Sequence, residues 1–363
     1  MKITLHGAAQ EVGRSCVEVK EAGIRFLFDS GLKIAPTESL YPHTPTDLKN
    51  VKAIFLSHCH LDHCGALPYF FHRGFAGNVF CTSMTKSITR IILKDNWKVS
   101  RIKNFVQEYN KKDINKILDN FKIINNYSPQ QYEGIKFVYQ DAGHIPGASS
   151  IAAEINKKTV LYSGDINTSD TRLVGPARIE TRNPDAFIIE TTYGDREHED
   201  RDLQEKDFLN TIKETLDDDG KVLIPTFAIG RAQEMLLLLA RKDFGVPIYL
   251  DGMAKKVAHE YINDPTYIKN PNELKRAFER AHPVDGRKER ENIVKEQAIF
   301  LTTSGMMDGG PVLDYIKHFW FEERNSILMT GYQTEGSNGR LLIEKKHLLP
   351  AHRKWRDLRI PCL

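Results

Sequence analysis

Short apolar runs separated by turns dominate the first half of the chain. These runs are rich in β-branched and aromatic residues, which favour strands. Between the runs, a Lys-rich stretch from about Thr85 to Phe121 predicts a helical segment. Its charges are interpreted as a solvated helix face in preference to a nucleic-acid surface. The predicted strands are Lys2–Leu5, Cys16–Val19, Ile24–Asp29, Val51–Ser57, Asn78–Cys81, Ile135–Gln140, Ile151–Ile155, Thr159–Ser163 and Ala186–Glu190.

The second half alternates strands with helices, which predicts βαβ units and a mainly parallel sheet. A charged segment, GDREHEDRD, lies between the two halves and indicates a domain boundary between Tyr193 and Arg201. The predicted helices are Phe208–Leu216 and Arg231–Arg241, and the predicted strands are Lys221–Pro225, Pro247–Leu250, Ala298–Thr302 and Ser326–Thr330.

Composition is that of an ordinary globular protein, with 40% hydrophobic and 27% charged residues. A length of 363 residues suggests two domains. No apolar run approaches the ~18 residues of a membrane helix, and no signal peptide is evident, so we expect a cytoplasmic protein without membrane contact. The net charge is +3, but residues 340–363 carry +5 and the remaining 339 sum to −2. General basicity therefore gives no argument for nucleic-acid binding.

The segment His58-Cys59-His60-Leu61-Asp62-His63 directly follows a predicted buried strand. In extended backbone, residues 58 and 60 share a face and can offer two imidazoles to one ion. The turn at Asp62 and His63 then presents a carboxylate and a third imidazole toward a second ion. Each histidine alone is more often an ordinary core or surface residue, but four such residues together indicate a metal site. Cys59 and Cys64 flank the cluster, and we predict buried thiols there in preference to ligands.

Further polar residues follow other predicted strands, at Asp29, His144, Asp165 and Glu190. Strand ends converge at one edge of a sheet in α/β folds, so these side chains are expected near the histidine cluster. Nitrogen and oxygen ligands without thiolate suit zinc first, with manganese or iron as alternatives. Two ions about 3.5–4 Å apart can share a hydroxide and a bridging carboxylate.

The sequence HCHLDH resembles the H-x-H-x-D-H signature of metallo-β-lactamase-fold hydrolases. That resemblance implies an α/β fold in which two sheets and flanking helices form an αββα sandwich. It implies that Asp165 bridges two ions and that Asp29 supports the site from behind. It also implies one metal on His58, His60 and His144 and a second on Asp62 and His63.

The second half resembles the cap of the β-CASP nucleases, which is itself built on a parallel βαβ-type sheet. The order of its segments is similar to that in the archaeal branch related to the cleavage-and-polyadenylation endonuclease and to RNase J. The resemblance predicts a metallo-β-lactamase domain at residues 1–195, a β-CASP domain at 196–346 and an atypical basic tail at 347–363. The segments are ETTYGDREHEDR (190–201), IPTFAIGRAQEMLLLL (224–239), DGMAKKV (251–257), TTSGMMDGGP (302–311) and GYQTEGSNGRLL (331–342).

The resemblance implies a zinc-dependent ribonuclease that hydrolyses RNA phosphodiester bonds with a metal-bridging hydroxide, by endonucleolytic or 5′-exonucleolytic cleavage. RNA is the expected partner, alongside a homodimer or a processing complex. The candidate catalytic residues are Asp62, Asp165 and Glu190, of which Glu190 positions or transfers a proton.

Three residues in the cap are candidates for substrate binding. Ser304 and Gly305 can bring backbone N–H groups close to a phosphate, or can form a plain strand-to-helix turn. Arg231, at the start of a predicted helix, can face substrate or pair with a carboxylate. In each case the two interpretations carry equal weight.

The family pattern ends near Lys346. In β-CASP nucleases the chain returns to the first domain after the cap and brings two histidines with it. The last residues, HLLPAHRKWRDLRIPCL, hold His347 and His352 in no matching context. We therefore expect an incomplete first domain, a weak second metal site and impaired activity.

Two other functions remain as alternatives. A catalytically inactive subunit that binds RNA or a partner fits the missing histidines. A small-molecule ester or thioester hydrolase of the same fold is disfavoured, because such an enzyme needs no cap of about 150 residues.

Overall fold

The computed structural model describes residues 1–34, 39–43, 45, 47–319 and 322–345. The chain forms two compact units, Met1–Gly194 and Asp195–Leu363. The predicted basic tail at 347–363, with His347 and His352, lies outside the described residues.

The first unit contains two large sheets and a small hairpin. In the first sheet the order is β1-β2-β3-β6-β7-β8, with antiparallel pairing from β1 to β3 and parallel pairing beyond. The strands of this sheet and the β4–β5 hairpin are β1 (Lys2–Gly7), β2 (Cys16–Glu21), β3 (Ile24–Phe28), β4 (Lys33–Ile34), β5 (Ser39–Leu40), β6 (Ala53–Phe55), β7 (Asn78–Cys81) and β8 (Phe121–Ile123).

The second sheet has the order β13-β12-β11-β10-β9 and is antiparallel except for the β12–β13 pair. Its strands are β9 (Gln130–Tyr132), β10 (Ile135–Asp141), β11 (Ser149–Ile155), β12 (Lys158–Tyr162) and β13 (Ala186–Ile188).

One buried aromatic and aliphatic core joins the two sheets face to face. Because side chains alternate along a strand, every second residue points into this layer. Phe28 stacks on Tyr162 with ring centroids 4.9 Å apart, and Phe55 lies 4.7 Å from Phe137. These ring contacts hold together the strands whose ends carry the candidate ligands.

Helices of the first unit are α1 (Leu61–Cys64), α2 (Leu67–His72), α3 (Ser83–Ile102) and α4 (Lys111–Asp119). The single helical stretch predicted for 85–121 is wrong in its extent. It is divided into α3 and α4, and Phe121 opens β8 instead of ending a helix. Asp113 accepts a hydrogen bond from the Asn110 backbone N–H at 2.7 Å, which is half of a capping box and starts a new helix at that point.

The second unit is built on a parallel sheet of order β16-β15-β17-β14-β18, which confirms the predicted βαβ organisation. Its strands are β14 (Val222–Pro225), β15 (Ile248–Leu250), β16 (His282–Pro283), β17 (Ile299–Thr302) and β18 (Ser326–Ile327). Its helices are α5 (Arg201–Asp217), α6 (Arg231–Leu239), α7 (Ala254–Asn263), α8 (Pro271–Arg280), α9 (Arg287–Ile293), α10 (Val312–Phe319) and α11 (Asn338–Lys345). Across the described ranges, no helix combines the length and apolar character that crossing a membrane requires.

Candidate metal centre

Strand direction explains why the candidate ligands meet. Asp29 follows β3 and His58 follows β6, and these two strands are parallel neighbours whose ends lie at the same edge. In the other sheet, β10 and β12 are both antiparallel to β11, so they run in the same direction. His144 follows β10 and Asp165 follows β12. The structure brings Asp29, His144 and Asp165, three of the polar residues predicted after buried strands, to the histidine cluster.

Three imidazoles and one carboxylate form the centre of the site. His60 Nδ1 lies 3.0 Å from His58 Nε2 and 3.2 Å from His144 Nε2. Asp165 Oδ2 lies 3.6 Å from His58 Nε2 and 3.5 Å from His144 Nε2. One ligand atom from each of the four side chains lies within 4.8 Å of all the others.

These separations match the geometry of a tetrahedral metal site. Zinc bound to nitrogen and oxygen at about 2.0–2.2 Å places neighbouring ligand atoms roughly 3.4 Å apart. The four measured distances run from 3.0 to 3.6 Å. A set of three imidazoles and one carboxylate also suits a divalent ion of borderline softness. The residues present therefore fit a metal ion at this position.

Asp165 directs its second oxygen toward a different group. Its Oδ1 lies 3.1 Å from His63 Nε2, and Asp62 Oδ2 lies 3.8 Å from the same nitrogen. One oxygen of the Asp165 carboxylate thus faces His58 and His144, and the other faces His63. This is the arrangement that a bridging carboxylate requires.

Asp29 is fully buried and orients His63 from behind the site. Its Oδ2 accepts hydrogen bonds from His63 Nδ1, the Ser57 hydroxyl and the Tyr162 hydroxyl, each at 2.7 Å. Its Oδ1 accepts from the Ser57 N–H at 2.7 Å. With the proton of His63 fixed on Nδ1, Nε2 is left to face Asp165 and Asp62. The position expected for Asp29 is that found in the structure.

Ser57 and Tyr162 are functional residues that sequence reasoning missed. Because the Ser57 hydroxyl donates to Asp29, it accepts from His58 Nδ1 at 3.0 Å, which leaves His58 Nε2 free to bind an ion. Tyr162 bonds Asp29 and also Ser15 Oγ, at 2.9 Å. The signal available in the sequence was position, since each lies at the end of a strand that leads into a candidate ligand.

The pKa values of His58 and His63 are shifted in opposite directions by their surroundings. Burial, with the nearby charge of His63, holds the pKa of His58 well below its ordinary value, so His58 is neutral. Burial acts in the same direction on His63, but the carboxylates of Asp165, Asp62 and Asp29 outweigh it and hold the pKa of His63 well above its ordinary value. Burial tends to raise the pKa of Asp165, yet His63 and His58 hold it well below the usual range.

Glycines precede two of the ligands for steric reasons. Gly143 precedes His144 with φ +70°, and Gly164 precedes Asp165 with φ +58°. A Cβ on Gly164 would meet the Ser57 Cβ at 2.8 Å, and one on Gly143 would meet the Asn167 carbonyl oxygen at 2.3 Å. Both turns therefore need glycine to bring the ligand toward the centre.

Cys59 and Cys64 lie among the ligands without joining them. Both thiols are fully buried, and Cys64 Sγ donates to the Cys59 carbonyl oxygen at 3.2 Å. Burial raises the pKa of each thiol, which keeps it protonated. Within the described ranges, the group of side chains able to hold a metal contains no cysteine. The prediction of buried thiols is confirmed.

Glu190 is half-buried just after β13. Its Oε2 accepts from the Thr192 N–H at 2.9 Å, and its own N–H donates to Ser163 Oγ at 3.2 Å. These contacts tie Glu190 to its own loop and to the end of β12, the strand that precedes Asp165. Its predicted role in proton transfer stays a prediction.

The three substrate-binding candidates lie in the second unit. Arg231 opens α6, as predicted. The Ser304 N–H and hydroxyl both donate to the Gly309 carbonyl oxygen, at 3.4 and 3.1 Å, so in this conformation they close a turn. Gly305 packs against the Thr226–Phe227 backbone, where a Cβ would meet the Phe227 nitrogen at 2.9 Å. The structure favours the turn interpretation for Ser304.

Similarity to known proteins extends over nearly the whole chain. The β-CASP domain family matches residues 232–342, and the anti-Pycsar protein Apyc1 family matches residues 10–190. A protein of Methanocaldococcus jannaschii named "Probable RNase MJ4" is 40% identical over 351 residues, which cover 95% of this chain and 82% of that protein. The chain belongs to the β-CASP nucleases.

Other relatives place this β-CASP nuclease in the archaeal type related to the cleavage-and-polyadenylation factor. "RNase aCSPSF2" of Saccharolobus solfataricus is 33% identical over 93% of this chain and 68% of its own length. "Endoribonuclease ysh1" of Schizosaccharomyces pombe is 33% identical over 91% of this chain and 46% of its own length.

A solved structure supports the fold independently of close sequence similarity. A protein of unknown function from Enterococcus faecalis superposes with a TM-score of 0.51 at 14% identity, covering 91% of this chain and 81% of that one. The α/β metallo-β-lactamase fold with a β-CASP cap is thus confirmed.

Proposed function

We propose that this β-CASP nuclease is a zinc-dependent ribonuclease that hydrolyses RNA phosphodiester bonds. The observation that carries the proposal is the convergence of three imidazole nitrogens and one Asp165 oxygen in a chain of this family. His58, His60, His144 and Asp165 would hold the first ion. Asp62 and His63, with the other oxygen of Asp165, would hold the second. We expect the second ion to bind more weakly, because the described residues offer it fewer ligands.

When bound, such ions lower the pKa of water and neutralise charge that develops on a phosphate. The protein's own contribution is to orient the ligand side chains before an ion binds. Asp29 and Ser57 each hold one ring nitrogen of a histidine, so the opposite nitrogens of His63 and His58 point toward the centre. Histidines fixed in this way lose little orientational freedom when an ion arrives.

Glu190 is the group we assign to proton transfer. It follows β13, the parallel neighbour of the strand that leads to Asp165. A carboxylate there can take the proton of the attacking water or return one to the departing 3′ oxygen. In the second unit, we assign Arg231 and the Gly305 N–H to the substrate phosphates, and Ser304 to shaping the turn that presents that N–H.

Asp165→Ala tests the proposal, with Asp119→Ala as a matched control. Asp119 is an exposed carboxylate at the end of α4, outside the ligand set. Protein purified with supplied zinc should contain at least one ion per chain and cleave a labelled single-stranded RNA to products with 5′-phosphate ends. Asp165→Ala should abolish cleavage and reduce bound metal, and Asp119→Ala should change neither.

Glu190→Gln separates proton transfer from metal binding. It should keep full metal content and slow cleavage by about 10²–10⁴-fold. Loss of metal in this variant would make Glu190 a structural residue instead. Wild-type protein that holds zinc but cleaves no RNA would favour the alternative of an inactive RNA- or partner-binding subunit.

A further inference from the structure

Helix α3 carries a row of cations that the proposed function does not use. Lys86, Arg90, Lys94 and Lys98 follow one another at intervals of four residues, and Arg101 continues the row at an interval of three. Because a helix turns 100° per residue, these positions fall on one face. We call these five residues the α3 stripe.

The stripe faces away from the core. The buried side of α3 includes Met84, Ile88 and Ile92, whereas Lys86 is partly exposed and the other four cations are exposed. No side chain of the stripe forms an ion pair within the described ranges. The stripe is therefore a surface of uncompensated positive charge.

Helix stability does not explain this arrangement. Like charges four residues apart on a helix repel one another and destabilise it. Lys86 also lies in the first turn, where the helix dipole disfavours a cation, and no acidic residue lies in that turn. Only Arg101, in the last turn, is favourably placed for the helix itself. The row therefore has a small cost in local helix stability.

Within residues 1–339, positive charge is concentrated on α3 and is not a general property of the sequence. Five cations and the single Asp95 give α3 a net charge of +4. Residues 1–339 sum to −2. The part of this range outside α3 is therefore acidic, and the stripe stands out from it. An anionic partner would be directed to this face.

The stripe begins beside the metal centre. The hydroxyls of Thr82 and Thr85, at the start of α3, contact the Gly147 carbonyl oxygen at 2.8 and 3.0 Å. Gly147 lies three residues after His144, in the loop that carries this ligand. From Lys86 to Arg101 the helix rises about 22 Å. The charges therefore extend from the edge of the site outward over the length of several nucleotides.

An aromatic ring lies within the stripe and favours nucleic acid as the occupant. Trp97 projects between Lys86 and Arg90 on the helical wheel, is half-exposed, and packs on Tyr109 with ring centroids 5.4 Å apart. Cations interleaved with an aromatic ring are the composition of single-strand binding surfaces, where bases stack and phosphates meet cations. The exposed Val99 and Ile102 lie to the side of the stripe, so the row itself offers a membrane no apolar face.

In place of the solvated-face interpretation of the Lys-rich stretch, we propose that the α3 stripe binds the phosphate backbone of single-stranded RNA that extends out of the metal centre. The proposal rests on the proposed function for the identity of the polyanion. The stripe supplies sequence-independent affinity, and the metal centre selects the bond that is cut. Short RNA that fills only the metal centre would not reach the outer cations, so the gain in affinity grows with RNA length.

A fourfold variant tests this proposal in the zinc-loaded protein. It combines Arg90→Gln, Lys94→Gln, Lys98→Gln and Arg101→Gln. The matched control combines Lys2→Gln, Lys20→Gln, Lys49→Gln and Lys157→Gln, which are exposed positions of the same unit and remove the same charge. The probes are phosphorothioate oligouridines of about 5 and about 20 nucleotides, whose modified backbone keeps its charge and resists hydrolysis during the measurement. Metal content and circular dichroism establish that both variants are folded.

The measurement is the dissociation constant as a function of salt. Each phosphate contact to single-stranded RNA contributes about 0.7 to the slope of log K against log salt, so losing four lowers the slope by about 2.8. From 50 to 200 mM salt, wild-type affinity for the long probe should then fall about 50-fold more than that of the stripe variant. The control should keep the wild-type slope, and the short probe should bind all three proteins similarly.

Equal slopes for the stripe variant and the control would overturn the proposal. If the stripe variant instead loses binding to phosphatidylserine vesicles while its RNA slope stays at the wild-type value, the face is a membrane surface and the proposal is wrong. Failure of the proposed function gives a different result. In that case wild-type protein cleaves no RNA, while the difference in salt slope between stripe variant and control can still be measured.

Discussion

In each unit, a deeply buried aspartate follows a strand and accepts a hydrogen bond from a tyrosine, yet the two aspartates have different roles. Asp29 follows β3 and Asp251 follows β15, and both are almost inaccessible to solvent. Asp251 accepts from Tyr315 at 2.9 Å, as Asp29 does from Tyr162 at 2.7 Å. The cation on each carboxylate makes the difference.

Asp251 pairs with Arg290, whose Nε lies 2.6 Å away, and Arg290 also reaches Asp314 at 3.3 Å. The guanidinium is thus neutralised within its own cluster. Asp29 pairs with His63, whose second nitrogen still faces Asp165 at 3.1 Å. Arg290 makes its ion pairs within one buried cluster, so we infer that Asp251 serves to stabilise the fold. His63 bonds Asp29 through one nitrogen and faces Asp165 with the other, so we infer that Asp29 serves to orient the candidate metal centre.

The largest effect is expected from Asp251→Ala. It leaves Arg290 largely buried with only Asp314 as a partner, and breaking a buried pair costs about 3–5 kcal/mol. Denaturant unfolding followed by fluorescence should show this loss, while zinc content under native conditions stays at the wild-type level. A loss below about 1 kcal/mol would mean that Asp314 alone neutralises the arginine.

Asp29→Asn should lower zinc affinity and change the free energy of unfolding little, which is the opposite of the result expected for Asp251→Ala. Asparagine fits the same volume and tolerates the left-handed backbone at this position, where φ is +59°. Removing the charge behind a metal-binding histidine typically lowers metal affinity about 10–100-fold. Competition with a zinc chelator measures this change. Unaltered zinc affinity with a large loss of stability would make Asp29 the equivalent of Asp251 and remove the distinction between the two clusters.

The smallest effect on stability is expected from Arg287→Ala, one helical turn before Arg290. Arg287 pairs with Glu291 at 3.1 Å, but both side chains are more than half exposed. Arg287→Ala should change stability by less than about 0.5 kcal/mol, because exposed i, i+4 pairs contribute little. The same unfolding experiment checks this value. An effect as large as that of Asp251→Ala would show that burial is not what separates structural ion pairs from surface ones here.

The residues of the candidate metal centre were predictable because their information is local. HCHLDH places four of them within six residues, and Asp29, His144 and Asp165 each follow a recognisable apolar run. The parallel sheet of the second unit was predictable for the same reason, since each strand is a short apolar segment between helical ones. In these cases a pattern over a few residues suffices to fix the outcome.

Other features depend on contacts between distant residues. Tyr162 bonds Asp29 across 133 positions, and a terminal strand tyrosine gives no sign of such a partner. The division of the Lys-rich stretch into α3 and α4 was missed because the cap at Asn110 is one polar residue among many. The two roles weighed for Ser304 were separated only by its bonds to Gly309, five residues away.

The two buried thiols can be used to measure local unfolding around the candidate metal centre. Cys59 and Cys64 are adjacent in sequence to three candidate ligands, His58, His60 and His63, and are buried from solvent. An alkylating reagent can reach them only when this segment separates from its surroundings, and a thiol with a raised pKa reacts slowly until then. The rate of alkylation therefore reports how often this segment opens, and each opening also separates the candidate ligands. An occupied site should protect these two cysteines, even though neither touches the ion.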